Sequence, residues 1–305
     1  MEDPSVKLSM HNWMRPEALA TTVPRLARCG YDGIELASDP RAIDREATRR
    51  LLRTHDIVCA GTLALFLGGR DLLHEDAYVR EGSLTYLLET VELTADLGGT
   101  FVTVPCTVGK MTPSAAPEVE WRWYVDALRT AADRARALGI RLAIEPLNRF
   151  ETYLINRADQ ALALAEESGD DVGVCLDIFH MNIEEVSPAA AIKAVGDRLV
   201  HFHVADNNRL PPGQGAVDWH GLIAALRETG YDGWLSVEFM PALDRTPVAT
   251  RHMAEVDEAT DLTAGMRQWI RDHGSGVLPD ATYEEYTRQS TEFLRSVLSE
   301  VEAPR

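Results

Sequence analysis

Short runs rich in β-branched and apolar residues recur eight times along this chain, and amphipathic stretches separate them: VKLSM, DGIEL, IVCAGTLAL, TFVTVPC, RLAIE, VGVCLD, LVHFHV and WLSVE. Alternation of this kind joins parallel strands through crossover helices. Eight such units close most simply into a single (β/α)8 TIM barrel, the α/β architecture expected here. A doubly wound open sheet is the alternative. It would normally carry a glycine-rich first strand-to-helix turn, and residues 10–16, MHNWMRP, hold no glycine. Leu84, Leu87, Leu88, Val91 and Ala95 fall at helical spacing between the third and fourth runs. Trp121, Tyr124, Val125, Leu128, Ala132 and Ala135 do so between the fourth and fifth. Helix starts are predicted at Ser187-Pro188, and at Thr282 with Glu285 as a capping box. Gly-Tyr-Asp-Gly occurs at 30–33 and again at 230–233, each time ahead of a run that ends in an acid, as helix-to-strand turn chemistry favours.

A chain of 305 residues with 45% hydrophobic content can bury a large core. No Pro-, Gly- or Ser-rich linker divides it, so residues 1–305 are expected to form one domain, with an extended connection between the eighth strand and the eighth helix at about 239–280. The net charge of −18 repels phosphate backbones and anionic bilayers over most of the surface, which argues against nucleic acid or membrane as partner. Cys29, Cys59, Cys106 and Cys175 stand far apart and give neither a disulfide framework nor a thiolate zinc site; Cys59 and Cys175 read as small core residues. MEDPSVKLSM lacks the basic and apolar regions of a signal peptide, and no long apolar span follows, so a cytoplasmic location is expected.

Four runs in the second half end on metal-ligand residue types: Glu145, Asp177, His203 and Glu238. The intervals are roughly thirty residues, the length of a strand, loop and helix. In a barrel, all four side chains then gather at the C-terminal mouth. Any one of them could simply cap a helix or form an ion pair. Four in successive units, all oxygen or imidazole donors, point to a shared divalent ion, Mn²⁺, Mg²⁺ or Co²⁺ in preference to thiolate-bound zinc. His201 lies on the same side of its strand as His203 and reads as a hydrogen-bonded inner residue. Polar residues follow these strands in loops over the mouth: Arg149 and Glu151, His180 and Asn182, then Asn207, Asn208 and Arg209. Gly213-Gln214-Gly215 is a lone GxG and only weakly indicates a phosphate cradle.

Through IEPLNRFETYLIN (144–156), VGVCLDIFHMNIEE (172–185), HFHVADNNRLPPGQG (201–215) and GYDGWLSVE (230–238), the chain resembles the metal-dependent ketose 3-epimerases related to D-tagatose and D-psicose 3-epimerases, within the wider xylose-isomerase-like barrels. The resemblance implies one divalent ion, usually Mn²⁺, held by Glu145, Asp177, His203 and Glu238. It implies substrate contacts at Glu151, His180 and Arg209, and an acid/base pair formed by Glu145 and Glu238 on opposite faces of the sugar carbon. His11, ending the first strand, stands where the family commonly has an aromatic contact and is taken as a further substrate contact. The implied reaction is C3 epimerisation of a free ketose through a metal-stabilised enediolate, because a proton beside a carbonyl is too weakly acidic to leave unaided.

The chain departs from the epimerase pattern in LFLGGRDLLHED (65–76) and in the long stretch after Glu238. The main alternative keeps metal and base but ends in β-elimination on a 3-keto glycoside, as in C-glycoside deglycosidases, which work with a small β subunit. Aldose–ketose isomerisation, an endonuclease acting on abasic DNA and a non-catalytic sugar sensor complete the field. Family members are commonly dimers or tetramers, so a homo-oligomer is expected, with Trp121, Trp123 and 239–270 as candidate apolar contacts.

Overall fold

Each of the eight runs forms a strand, and the eight strands close into a parallel barrel in chain order, with β1 (Lys7–His11) hydrogen-bonded both to β2 (Gly33–Leu36) and to β8 (Trp234–Val237). Between them run β3 (Val58–Leu63), β4 (Phe101–Pro105), β5 (Arg141–Glu145), β6 (Val172–Asp177) and β7 (Leu199–Val204). The computed structural model describes residues 6–105, 107–242, 246, 260–273, 275 and 278–301. Residues 243–245, 247–259, 274, 276 and 277 of the extended connection expected at about 239–280, and Cys106, lie outside the described residues.

Outside the barrel run α1 (Leu19–Arg28), α2 (Arg45–Thr54), α3 (Ala77–Leu97), α4 (Pro117–Ala137), α5 (Ala158–Ser168), α6 (Ile178–Glu184), α7 (Pro188–Val195), α8 (Trp219–Glu228), α9 (Ala264–His273) and α10 (Asp280–Glu300). No described helix is long and apolar enough to cross a membrane. The α4 stripe packs as its spacing predicts, with Tyr124, Val125, Leu128, Ala132 and Ala135 buried. In α3 the buried face is rotated from the predicted one. Leu84, Leu88 and Ala95 are only partly buried, while Ser83, Thr90 and Thr94 lie inside. Their hydroxyls donate to the carbonyls of Val79, Tyr86 and Thr90, one turn back, which removes the cost of burying them.

Ser187 caps α7 as predicted, accepting from Ala190 N. The start of α10 does not follow the predicted box. The helix begins at Asp280 behind Pro279, whose ring fixes an extended entry, so Thr282 is already inside the helix and Glu285 pairs with Arg288. In both Gly-Tyr-Asp-Gly turns the first glycine is left-handed, with φ of 80° at Gly30 and 73° at Gly230, a region costly for any residue with a Cβ. Cys59 and Cys175 are buried and free. Trp121 and Trp123 are half-buried and engaged within the chain: Trp121 donates to Glu167 at 2.7 Å, and Arg80 lies 3.9 Å over the Trp123 ring.

Strand alternation turns His11, Glu35, Thr103, Glu145, Asp177, His203 and Ser236 into the barrel, where the register pairs His11 with Glu35 and Asp177 with His203. One layer down, the Phe101 ring stacks on His201 at 4.0 Å. It occupies the space a side chain at Gly61 would need, since a Cβ there would lie 2.5 Å from that ring.

Candidate active site

Glu145 and Asp177 are the last residues of β5 and β6, His203 is one residue from the end of β7, and Glu238 follows β8, its N–H extending the ladder to Val204 O at 2.9 Å. Each brings one donor atom into a group whose members all lie within 4.8 Å of one another. His203 Nδ1 is 2.9 Å from Glu145 Oε1 and 3.6 Å from Glu238 Oε2. Asp177 divides its oxygens between two tasks. Oδ1 caps α6 by accepting from Phe179 N at 2.8 Å, while buried Oδ2 faces the cluster without a hydrogen-bond partner among the described residues.

Burial pushes the Glu238 carboxyl well above the usual range, and the Asp177 and Glu145 carboxylates push it further, against the pull of His203 and Arg209. Asp177 is held below its ordinary value: burial works against its charge, but His180, Arg209 and His203 outweigh it. Three carboxylates and an imidazole crowded together, with one buried carboxylate oxygen making no hydrogen bond among the described residues, form a donor set that fits a hard divalent cation.

Above the cluster opens a cavity of about 340 Å³. Glu145, Glu238, Glu151, His180 and Arg209 line it together with Trp13, Leu63, Leu65, Pro105, Val108, Leu147, Phe150, Met240 and Trp269. Arg209 sits in a left-handed conformation (φ 58°) and is almost fully buried. Its Nη2 lies 3.5 Å from Asp177 Oδ2 and 3.4 Å from Glu238 Oε2, and its guanidinium stacks 4.3 Å over Phe179. His180 Nδ1 accepts from the Asn148 backbone N–H at 3.2 Å, which leaves the ring proton on Nε2, 3.5 Å from Asp177 Oδ2. Asn148 Nδ2 also reaches Glu151 Oε1 at 2.8 Å, so this one residue orients both Glu151 and His180.

The other sequence candidates lie elsewhere. His11 is buried beneath the cavity and does not line it; Nε2 is 3.3 Å from Glu35 and 3.9 Å from Glu238, and the ring meets His203 edge-on at 4.4 Å. Burial lowers its pKa to about 3, which keeps the imidazole neutral. His201 bonds Glu35 at 2.6 Å, the inner role expected of it. Arg149 pairs with Glu184 at the surface. Asn182 borders a different cleft. Asn207 and Asn208 brace the loop that contains Gly213-Gln214-Gly215, accepting from Ala216 N and donating to Gln214 O. Within that loop the Gly213 N–H is taken by Asp206 Oδ2 at 2.9 Å, so it does not project as a phosphate cradle would need.

Two residues at the site have no signature in the sequence pattern. Trp13 donates from Nε1 to Glu238 Oε1 at 2.8 Å and packs 5.4 Å from Trp269. Its loop is anchored by nearly fully buried Arg15, which bonds Glu17, Asp280 and the Leu278 carbonyl and lies 4.8 Å over the Tyr283 ring. Asn148 is the other. Neither stands out by periodicity, and only the bulk of WMRP just after the first strand marks Trp13.

The family described as "Xylose isomerase-like TIM barrel" matches residues 23–273. L-ribulose 3-epimerase of Mesorhizobium japonicum is 34% identical over 72% of this chain and 75% of that protein. D-psicose 3-epimerase of Agrobacterium fabrum is 32% identical over 71% and 77%. Among solved structures, D-allulose 3-epimerase from Methylomonas sp. in complex with D-allulose superposes with a TM-score of 0.77 at 25% identity, covering 96% of this chain and 97% of that one.

Proposed function

The chain belongs to the xylose isomerase-like TIM-barrel family, and on that premise we propose that it is a divalent-metal-dependent isomerase that inverts C3 of a free ketose. The observation that carries the reading is the gathering of Glu145, Asp177, His203 and Glu238 donor atoms within 4.8 Å at the floor of a cavity of sugar-accommodating size. Epimerase relatives that match over most of their length support the same outcome.

These four residues would hold the ion, and their oxygen-rich set favours Mn²⁺, with Mg²⁺ or Co²⁺ as substitutes. A bound ion would supply Lewis acidity for the negative charge that develops when the C3 proton leaves. Glu145 and Glu238 stand on β5 and β8, on different sides of the ring of strands, so their carboxylates approach the reacting carbon from different directions. One takes the proton and the other returns one to the opposite face, each contributing ~10²- to 10⁴-fold. Arg209 and the His180 Nε2–H donate to substrate oxygens, and Glu151, held by Asn148, accepts from a hydroxyl. Apolar residues make up most of the remaining wall and exclude water around the distal part of the sugar.

The test is incubation of the Mn²⁺-loaded protein in D₂O with L-ribulose, D-fructose or D-tagatose, and separately with a 3-keto glycoside, followed by NMR of the recovered sugars. A C3 epimer carrying deuterium at C3 is expected. Release of an aglycone or an unsaturated sugar without epimer would assign the same residues to β-elimination, and unexchanged sugar throughout would remove the catalytic reading.

A further inference from the structure

We infer that Glu35, one layer below the cavity on β2, is a positioning residue that fixes the ring of His203 for metal binding, an inference that rests on the metal reading of the cluster above.

Glu35 is fully buried and pinned from two sides. Its Oε1 accepts from Thr103 Oγ1 at 2.8 Å, and its Oε2 contacts His201 Nε2 at 2.6 Å. The same Oε2 lies 3.3 Å from His203 Nε2, while the opposite ring nitrogen, Nδ1, points into the donor cluster. His203 Nε2 is fully buried and makes no hydrogen bond of good geometry among the described residues, so it meets Glu35 at close range but out of line. A buried N–H left without an acceptor is costly. An imidazole that gives Nδ1 to a cation keeps its proton on Nε2, and the fixed Glu35 oxygen stands where that proton needs an acceptor.

Hydrogen bonds at catalytic groups are commonly long in unloaded proteins and tighten on loading. Glu35 therefore sets which nitrogen faces the ion, and the Thr103 and His201 bonds keep Glu35 from turning away. A purely structural Glu35, present only to satisfy His201, would leave ion binding untouched.

The experiment compares full-length wild type with Glu35→Gln, which keeps the shape and removes the charge. Mn²⁺ affinity is measured by calorimetry and the Co²⁺-loaded forms by proton NMR. Expected results are a 10- to 100-fold loss of Mn²⁺ affinity with an unchanged melting temperature of the metal-free protein. In Co²⁺-loaded wild type, a strongly shifted, solvent-exchangeable imidazole N–H is expected that moves or exchanges faster in the variant. Folded E35Q that binds Mn²⁺ within about twofold of wild type overturns the inference. Should E35Q not fold, the wild-type Co²⁺ spectrum decides, because absence of an exchangeable shifted N–H means that His203 does not bind through Nδ1 with its Nε2 protonated. Failure of the wild type to bind either ion would instead sink the metal reading itself.

Discussion

The two halves of the barrel contribute unlike things to the cavity. Every ionisable side chain lining it among the described residues, Glu145, Glu151, His180, Arg209 and Glu238, comes from the ends of β5 and β8, the loops after β5 and β7, or helix α6 after β6. The β1 to β4 half supplies Trp13, Leu63, Leu65, Pro105 and Val108, a wall of shape without charge. On the proposed reading, proton transfer and ion binding fall to the second half, and the first half offers the substrate only apolar wall, which Leu147, Phe150, Met240 and Trp269 continue on the other side. Such a division lets the wall change with substrate while the chemistry stays fixed.

Several substitutions sharpen or break that division. The largest effects belong to the charged half: Glu145→Gln and Glu238→Gln should each lower kcat by ~10²- to 10⁴-fold with the circular dichroism spectrum unchanged. Turnover retained in either one removes that residue from the acid/base pair. Next comes Arg209→Ala, expected to raise KM by an amount equivalent to ~1.5–3 kcal/mol. Because its Nη2 lies within 3.5 Å of both Asp177 and Glu238, a loss confined to kcat would place it in the chemistry instead of in binding.

Trp13→Phe crosses the line between halves, since it deletes an N–H on Glu238 while keeping the apolar wall. About a tenfold fall in kcat is expected, in line with ~1.5 kcal/mol for a hydrogen bond to a charged group. An effect on KM alone would make Trp13 wall and nothing more. The smallest change should come from Val108→Ala, which alters KM about fivefold for longer substrates and leaves kcat near wild type, as one lost apolar contact of ~1 kcal/mol implies.

A pH series probes the charged half by itself. In the metal-free protein Glu238 is held protonated to higher pH than an ordinary carboxyl, chiefly by burial. That proton competes with the ion, so Mn²⁺ affinity should weaken as pH falls through the raised Glu238 value, with proton release on binding at lower pH. Calorimetry in buffers of different ionisation enthalpy reads both, and binding independent of pH would contradict the buried, proton-holding Glu238.

Legibility in the sequence also divides between the halves. Strand ends in the second half announce their candidate ligands because an acid or imidazole closing an apolar run is conspicuous, and the structure places Glu145, Asp177, His203 and Glu238 together at those ends. Trp13 and Glu238 are 225 residues apart, and their contact exists only because β1 pairs with β8. No local pattern encodes it. Asn148 lies within the stretch IEPLNRFETYLIN, yet its role depends on α6 bringing His180 back over the loop after β5. His11 ends its strand as visibly as Glu145 does. It faces a layer already filled by Glu35, His201 and His203, a matter of depth that a one-dimensional pattern does not record. The rotated face of α3 has the same character: threonines that bond back onto their own helix are as acceptable inside as leucines, and hydrophobic spacing overlooks them.

The bond from Trp13 to Glu238 joins the first strand's exit to the last strand's exit. During synthesis the indole emerges early and waits, and its carboxylate partner arrives only after nearly four-fifths of the chain has been made. A barrel whose first and last strands have not paired therefore lacks this bond. A change in tryptophan fluorescence on titration with a paramagnetic ion, present in wild type and lost in Trp13→Phe, would serve as an optical inspection stamp for molecules whose ring has been sewn shut.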